Sequence, residues 1–595
     1  MPSDPRCRTL PLRRRAAGHR ATLARLPESR GRPVTGTDPF KALGKLPQRV
    51  NTAGFLSQSA ETWPDVEAVI EAKSDKRITF AQLEARASHM AAGLHALGVE
   101  FGDRVCLFVP ASIEFVALTF ALFKLGAVPV LADPGMGRKR LLACVKRIQP
   151  RGMIGVAKAH AARRLFPKAF ESVEISVAVG WCLPGSGPKL AAVEAAGARE
   201  SSEEAGLVAE TEAADAAAVL FTSGSTGPPK GVLYTHGMFH AQVLALKTLY
   251  GFEAGEVDLA CFPLFALFDV AFGSTSVFPD MDVSRPASCN PAKIVRAAQT
   301  YKATSAFGSP AIWKRVAPWC MDRGERMEAL RRVLVAGAPV SPDLIRALHG
   351  ILPLEGDVHT PYGATECLPV ASIAGRTVVP YLEERIQSGE GTCVGRVAPG
   401  IDLRLIGVQD GPIESWSEDL VVAPGELGEM VVRGPVVTAH YVADPEHDAL
   451  AKIPDGQGGH WHRMGDLGYL DGDARLWFCG RKSHRLQTSR GMRPTVPVEN
   501  VYNTHPRVVR TALVGVGPEG EQLSVLCVQP TAGSMPKGKA MRHGFQEQLK
   551  EISRKRCEEA AVENFLFHPD FPVDPRHNAK IEREQLQAWA SEQLS

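Results

Sequence analysis

Residues 222–231 read TSGSTGPPKG, and this stretch decides the fold. The short apolar runs on either side, 216–221 and 232–234, favour β-strands, so the ten residues form a loop between two strands. Its glycines allow a ligand to approach the backbone closely, while its hydroxyls and its one lysine suit phosphate oxygens. We therefore predict a phosphate-binding loop composed of Thr222, Ser223, Gly224, Ser225, Thr226, Gly227 and Lys230.

The loop differs from a Walker A loop, in which G-K-[ST] opens a helix. Here Lys230 lies between Pro229 and Gly231, ahead of another strand-like run. A solvated Ser/Gly linker is the alternative interpretation, and it accounts for the hydroxyls. It gives no reason for the Pro-Pro-Lys-Gly end, which a phosphate site explains.

Helices and strands alternate along the chain outward from this loop. Apolar residues at helical spacing follow Thr79, a favourable N-cap, and a second apolar helix ends at Gly126. The pattern predicts helices at 78–97 and 113–125 and strands at 104–109 and 127–131. Repetition of this unit is typical of an α/β fold with mostly parallel, helix-covered sheets.

The chain divides into three predicted parts. The first 40 residues hold nine arginines against three acidic residues, and we expect 1–45 to be a disordered Arg-rich extension. An organelle transit peptide is the alternative, although the segment has few serines and no amphipathic stripe. We expect a large domain at 46–480, with a β-rich portion near 426–433 and 468–479, and a small α+β domain at 481–595.

Composition excludes several classes of protein. A net charge of only +3 in 595 residues gives no overall basic field for nucleic acid. Twelve cysteines without a C-x-x-C pair argue against a disulfide framework or a zinc site and suit a reducing cytoplasm. No apolar run is long enough to span a membrane, and no signal-peptide pattern opens the chain.

Residues 362–366 read YGATE and give the first link to a known family. Together with the phosphate loop, they resemble the adenylate-forming superfamily of acyl-CoA synthetases, luciferases and peptide-synthetase adenylation domains. The resemblance implies that Tyr362, beside Gly363, stacks on adenine, that Thr365 contacts the α-phosphate and that Glu366 holds Mg²⁺. An aromatic face suits a purine and a carboxylate suits a hard cation, although a turn with a solvated Glu366 remains open.

Further stretches match the same superfamily. A turn after the apolar run 333–335 is similar to the adenine-pocket turn and consists of Gly337, Ala338 and Pro339. The resemblance implies that Asp466 and Arg481 contact the ribose hydroxyls. It also implies that Lys580 lies between the substrate carboxylate and the α-phosphate. His484 stands where the superfamily usually has Asp or Lys at a hinge, which places the usual rotation of a small, mobile C-terminal domain in question.

The segments at 262–268, 278–282, 480–485 and 576–580 look most like the OleC-type β-lactone synthetases of bacterial olefin biosynthesis. That likeness implies ATP- and Mg²⁺-dependent adenylation of a long-chain 2-alkyl-3-hydroxy acid, followed by intramolecular closure to a β-lactone. Ala266 stands where members that form CoA thioesters carry His or a large aromatic residue. A long-chain acyl-CoA synthetase and a catalytically silent ATP or acyl-AMP binding protein remain alternatives. The likeness also implies association with other olefin-pathway enzymes.

Overall fold

The computed structural model describes residues 43–132, 134–200, 208–221, 229–573 and 580–594. The predicted extension, up to residue 42, and the six predicted phosphate-loop residues 222–227 lie outside the described residues. Lys230 and every other predicted site residue lie within them.

A six-stranded sheet carries the predicted phosphate loop. Its strands are parallel except for the last pair, Ala216–Phe221 and Gly231–Thr235, which is antiparallel and flanks the loop as expected. In spatial order the strands are Ile175–Val179, Gly152–Val156, Arg104–Phe108, Val128–Leu131, Ala216–Phe221 and Gly231–Thr235.

A 14-stranded sheet forms the rest of the large portion. Its middle is parallel and its far end is antiparallel, which is the β-rich portion predicted near 426–433 and 468–479. In spatial order the strands are Asp402–Ile406, Gly428–Arg433, His460–Leu470, Leu476–Arg481, Thr392–Val397, Cys367–Ala374, Asp357–Ala364, Arg332–Val335, Ser305–Gly308, Val257–Ala260, Thr275–Phe278, Glu67–Glu71 and Lys76–Thr79, with Lys452–Pro454 paired to His460–Leu470.

Helices cover these two sheets. Capping side chains set several of their first turns, as where Thr79 accepts from the backbone of Gln82 in a capping box. The helices are Gly54–Thr62, Phe80–Ala96, Ile113–Lys124, Arg138–Ile148, Ala157–Leu165, Leu190–Glu200, His236–Tyr250, Ala266–Phe272, Pro291–Thr300, Pro310–Arg323, Pro342–His349 and Pro445–Ala451, and an irregular helical segment covers 375–390.

The chain after Arg481 forms a small module of its own. A short hairpin, Leu486–Thr488 with Gly491–Arg493, precedes a three-stranded sheet. That sheet consists of Val508–Val516, Leu523–Pro530 and Asn564–Phe567, and its helices are Thr495–Tyr502, Gly538–Arg556 and Arg583–Leu594. Its separate apolar cluster, around Tyr502 and Phe545, gives the module its own core.

These observations confirm the predicted fold class, with small corrections at element ends. The first predicted helix begins at Phe80 because Ile78 pairs across a β-ladder and Thr79 acts as its cap. Within the predicted β-rich stretch 468–479, a turn separates two strands, and Asp471 accepts there from the backbone of Asp473 and Arg475. Within the described residues, no helix is long and apolar enough to cross a membrane.

Candidate active site

The strip YGATE lies at the turn between two antiparallel strands, Asp357–Ala364 and Cys367–Ala374. Asp357–Ala364 also runs parallel to Arg332–Val335, which leads directly into the predicted adenine-pocket turn. In that turn Gly337 has a φ of +93°, a conformation that favours glycine. Gly363 is also required, since an added Cβ would lie 2.6 Å from the carbonyl oxygen of Cys367. The two predicted adenine-side elements therefore leave adjacent strands at the same edge, where ligands of α/β sheets bind.

Tyr362, Asp466 and Arg481 form one group, joined by a hydrogen bond and an ion pair. The Tyr362 hydroxyl donates to Asp466 Oδ2 at 2.5 Å, and Arg481 Nη1 lies 3.0 Å from Asp466 Oδ1. Asp466 and Arg481 face each other across paired strands. Burial raises the pKa of Asp466, and the adjacent Arg481 guanidinium opposes that rise. The buried carboxylate and the partly exposed guanidinium suit a polar ligand with hydroxyl groups.

Lys230 and Glu366 meet at the ring of Tyr441. The Tyr441 hydroxyl donates to Glu366 Oε1 at 2.8 Å, and Lys230 Nζ lies 5.1 Å from the centre of the same ring. Tyr441 reaches this place because its segment pairs with the strand that follows the phosphate loop, through Val442 N to Gly231 O at 2.7 Å. Burial lowers the pKa of Lys230, while the Glu366 carboxylate opposes that change.

Backbone contacts hold Thr365 and Glu366 in place. The hydroxyl of Tyr234 donates to the carbonyl oxygen of Thr365 at 2.7 Å, and Thr438 N donates to the carbonyl oxygen of Glu366 at 2.9 Å. Tyr234 lies on the strand after the phosphate loop, so that strand and the YGATE turn are joined directly. The arrangement leaves the side chains of Thr365 and Glu366 half-buried.

The two groups belong to one site. The Glu366 and Arg481 charges both act on the pKa of Lys230, and Glu366 also raises the pKa of Asp466. The Asp466 carboxylate is the main cause that raises the pKa of Arg481, and Glu366 and Tyr441 add to it. Tyr362 and Glu366 lie four residues apart in the YGATE strip and bond to Asp466 and Tyr441, so residues from distant stretches of chain converge.

Glu366 suits a magnesium ion that also binds phosphate. In the described part of the chain, no three His, Cys, Asp or Glu residues cluster as a metal-binding group. A single carboxylate such as Glu366 suits a metal that completes its shell with phosphate oxygens and water, as Mg²⁺ does. Tyr441 orients one Glu366 oxygen and leaves a carboxylate edge for the cation.

A buried lysine beside this site was missed by sequence reasoning. Lys452 is 9% exposed, and its Nζ donates to the carbonyl oxygen of Thr438 at 2.5 Å and lies 5.7 Å from the Tyr441 ring centre. Burial lowers its pKa to about 8, against the opposing effect of Glu366. The sequence carries only a weak signal of this burial, because Lys452 stands beside Ile453 in a short apolar run. Tyr234 and Tyr441 were also missed, because their roles arise from long-range pairing.

His484, which the resemblance places at a hinge, packs against the C-terminal helix. Its Nε2 lies 3.8 Å from Glu584 Oε1, and burial together with Arg583 and Arg481 lowers its pKa to about 3. His484 is therefore neutral at ordinary pH. Arg583 on the same helix is held by Glu499, with Nη1 at 2.5 Å from Oε1 and Nη2 at 2.8 Å from Oε2. Lys580 is half-buried next to Ile581, which bridges to Val573, and its catalytic role stays a prediction.

Aromatic rings cluster around the segment that contains Ala266. Phe265 stacks on Phe307 with centroids 4.8 Å apart, and Phe252 stacks on Phe272 at 4.6 Å. Ala266 is buried at the start of the helix Ala266–Phe272. The rings form part of a packed cluster, which is compatible with plain core and with a lining for an acyl chain.

The fold and this convergent site define a nucleotide-dependent enzyme, and comparison with known proteins gives its family. Residues 56–442 match the AMP-binding enzyme family, and the chain belongs to that family.

Among curated proteins, the chain is 46% identical to the olefin beta-lactone synthetase of Stenotrophomonas maltophilia, a match covering 87% of this chain and 92% of that protein. It is 43% identical to the olefin beta-lactone synthetase of Xanthomonas campestris pathovar campestris, over 92% of this chain and 99% of that protein. Among solved structures, the amide bond synthetase McbA from Marinactinospora thermotolerans shares the fold, with a TM-score of 0.72 and 21% identity over 91% of this chain and 99% of that one.

Proposed function

We propose that this chain is an AMP-forming ligase that adenylates a long-chain 2-alkyl-3-hydroxy acid and closes it to a β-lactone, releasing AMP and pyrophosphate. The observation that carries the proposal is identity of 43–46% to two olefin beta-lactone synthetases over most of both chains. The convergent polar site supports it, because one nucleotide needs an aromatic face, a ribose acceptor and cations for phosphates.

Activation is the first half of the reaction. A carboxylate resists nucleophilic attack because attack adds charge to a group that is already anionic. When the carboxylate oxygen attacks the α-phosphorus of ATP, the bond to pyrophosphate breaks and a mixed acyl phosphate anhydride forms. Two anions must meet in this step, so catalysis consists mainly of positioning and charge stabilisation.

The proposed roles divide among the site residues. Tyr362 and the 337–339 turn hold adenine, while Asp466 accepts hydrogen bonds from the ribose hydroxyls and Arg481 supports it. Lys230 and the phosphate loop neutralise the departing phosphates, and Thr365 contacts the α-phosphate. Glu366 would hold Mg²⁺, which supplies further charge neutralisation when bound, and Lys580 would lie between the carboxylate and the α-phosphate.

Ring closure is the second half. The 3-hydroxyl oxygen attacks the acyl carbon, its proton leaves to base or water, and the bond to AMP breaks to give a four-membered lactone. An intramolecular nucleophile needs no second substrate. A site that forms no CoA thioester has no CoA thiol to position. The small side chain of Ala266, buried at a helix start, fits such a site.

The domain arrangement and setting are parts of the same proposal. We infer a large domain at 46–480 and a mobile one at 481–595, with the neutral His484 at the hinge. The eleven described cysteines that are free suit a reducing compartment such as the cytoplasm. We also propose that the chain associates with other enzymes of an olefin pathway, and co-purification would test this association.

Product analysis tests the proposal. The chain is incubated with ATP, Mg²⁺ and a 2-alkyl-3-hydroxy acid, with and without CoA, and products are identified by mass spectrometry. We expect β-lactone and AMP in both reactions. A matched acid without the 3-hydroxyl should give no lactone. Thioester that forms only with CoA would show an acyl-CoA synthetase, and absence of AMP would show a silent binding protein.

A further inference from the structure

Positive charge is concentrated in one short part of the chain. Residues 134–189 hold eleven Lys and Arg against two Glu, a net charge of +9, whereas the whole chain carries only +3. The remainder is therefore net negative, and the excess belongs to one section of the six-stranded sheet.

This section covers one edge of that sheet. Helix Arg138–Ile148 connects Val128–Leu131 to Gly152–Val156, and helix Ala157–Leu165 connects Gly152–Val156 to the edge strand Ile175–Val179. Both crossovers run in the same direction along the sheet, so the right-handed rule places both helices on one face. We call the exposed side chains of 138–168, with the turn 180–185, the basic face.

Side-chain contacts make the basic face continuous. The Arg138 guanidinium lies 5.5 Å from the centre of the Phe166 ring, which joins the first helix to the end of the second. A Cβ built on Gly185 would lie 3.0 Å from Arg164 Nη2, which joins the second helix to the turn after the edge strand. The surface therefore extends from the first helix to that turn.

Most cations of the basic face point into solvent without an acidic partner. Arg147 pairs with Asp444, and Arg151 pairs with Asp103 and Glu174. Within the described ranges, ion-pair partners are absent for the exposed residues Lys139, Arg140, Lys146, Lys158, Arg164 and Lys168. At the start of the first helix, a recess of about 460 Å³ is lined by Met136, Gly137, Arg138, Lys139 and Arg140. Helix N-terminal N–H groups and cations there favour an anionic group.

Two large apolar side chains project from the same surface. Leu165 is 72% exposed and Trp181 is 74% exposed. Leu165 lies seven residues after Lys158 on one helix face, and Trp181 lies in the turn whose Gly185 contacts Arg164. Leu and Trp surrounded by Lys and Arg are typical of surfaces that lie in the headgroup region of a bilayer.

We propose that the basic face docks onto an anionic lipid surface, with cations on the lipid phosphates and Leu165 and Trp181 inserted at headgroup depth. Charge complementarity selects this occupant, since each cation near an anionic leaflet contributes to attraction and the two apolar residues add burial. The advantage of docking rests on the proposed function. A long-chain acid partitions into lipid, and an enzyme docked on the lipid surface has access to that acid.

Vesicle sedimentation tests the docking without ATP or acid, so its failure leaves the proposed function untouched. The full chain is mixed with vesicles containing phosphatidylglycerol and with pure phosphatidylcholine vesicles. We expect binding to the first that falls with added salt. The double variant Lys139→Gln, Arg140→Gln should bind at least about tenfold more weakly. The matched control Arg296→Gln, Lys302→Gln removes two exposed cations from another part of the fold and should bind as the parent does.

Trp181→Ala provides a second measurement that does not depend on charge. Vesicle binding should shift the parent's tryptophan fluorescence to shorter wavelength, and the variant should lose part of that shift. Equal binding to both vesicle types, no binding to either, or a double variant that binds like its control overturns the proposal. Binding to an acidic protein without binding to anionic vesicles would also overturn the proposal.

Discussion

The hydroxyl of Tyr362 donates a 2.5 Å hydrogen bond to Asp466, although 104 residues separate them along the chain. The bond joins the residue expected beneath the adenine to the residue expected at the ribose. Asp466 is buried and pairs with Arg481, so its carboxylate depends on both partners for the solvation it has lost. We therefore expect the geometry of the proposed nucleoside site to depend on this pair.

Tyr362→Phe should weaken nucleotide binding while keeping the aromatic face. The variant leaves Asp466 Oδ2 without its donor, at a cost of about 1–3 kcal/mol. We expect KM for ATP to rise by about tenfold, with a smaller change in kcat. The control is Tyr381→Phe, an exposed tyrosine that should leave KM unchanged. An unaltered KM in Tyr362→Phe would contradict the role of the pair.

Glu366→Gln should raise the Mg²⁺ concentration needed for half-maximal rate, because a neutral amide binds a hard cation more weakly. Tyr441→Phe should have a smaller effect in the same direction, since it removes only the hydrogen bond that orients Glu366. Magnesium titration of the initial rate is the measurement. Glu414→Gln, at an exposed position, is the control and should titrate as the parent does.

Lys580→Ala should slow adenylate formation by orders of magnitude and leave ATP affinity nearly unchanged. The ammonium is expected to act between the reacting groups, where charge builds up only during the reaction. Single-turnover release of pyrophosphate measures the step, and equilibrium binding measures affinity. Lys555→Ala, in an exposed position, is the control. A loss below about tenfold, or 1.4 kcal/mol, would refute the assignment.

Asp258→Asn should alter how stability depends on pH. Burial raises the pKa of Asp258 from 3.8 to about 7, which outweighs the Ser305 hydrogen bond and Arg332. Between those pH values the unfolded chain loses a proton that the folded chain keeps, so rising pH destabilises the folded state. Asparagine does not titrate and still accepts from Ser305 Oγ.

The stability of Asp258→Asn relative to the parent should therefore increase from about pH 4 to about pH 7 and then level off. Denaturant unfolding at a series of pH values measures it. Asp282→Asn, in an exposed loop, should show no such trend. A difference that stays constant with pH would show that Asp258 is ionised in the folded protein.

Local patterns predicted the fold, and short motifs supplied the candidate site residues. Alternating helices and strands gave the parallel sheets, and the strands on both sides of the phosphate loop pair as expected. The YGATE strip, Asp466 and Arg481 could be proposed as site residues because each sits in a short motif, and the structure brings Tyr362, Asp466 and Arg481 together. Motif recognition works where the chemistry is confined to neighbouring residues.

Residues that act through distant pairing were not predictable. Tyr441 is 75 residues from Glu366 and contacts it only because its segment pairs with the strand that contains Val232. Lys452 is buried where its short strand pairs with His460–Leu470, and its pKa of about 8 reflects surroundings that no local pattern encodes. Similarly, the contact of His484 with the last helix depends on how the C-terminal module folds back.

Oxygen-18 labelling of both oxygens of the substrate carboxylate tests the central claim most directly. The claim is that AMP is transferred to the carboxylate and then displaced by the 3-hydroxyl of the same acid. If the carboxylate attacks the α-phosphorus, one labelled oxygen leaves with AMP and one stays in the lactone carbonyl. Mass spectrometry of both products should show this distribution. Unlabelled AMP together with a lactone that keeps both labelled oxygens would mean that the hydroxyl had been activated, and would contradict the account.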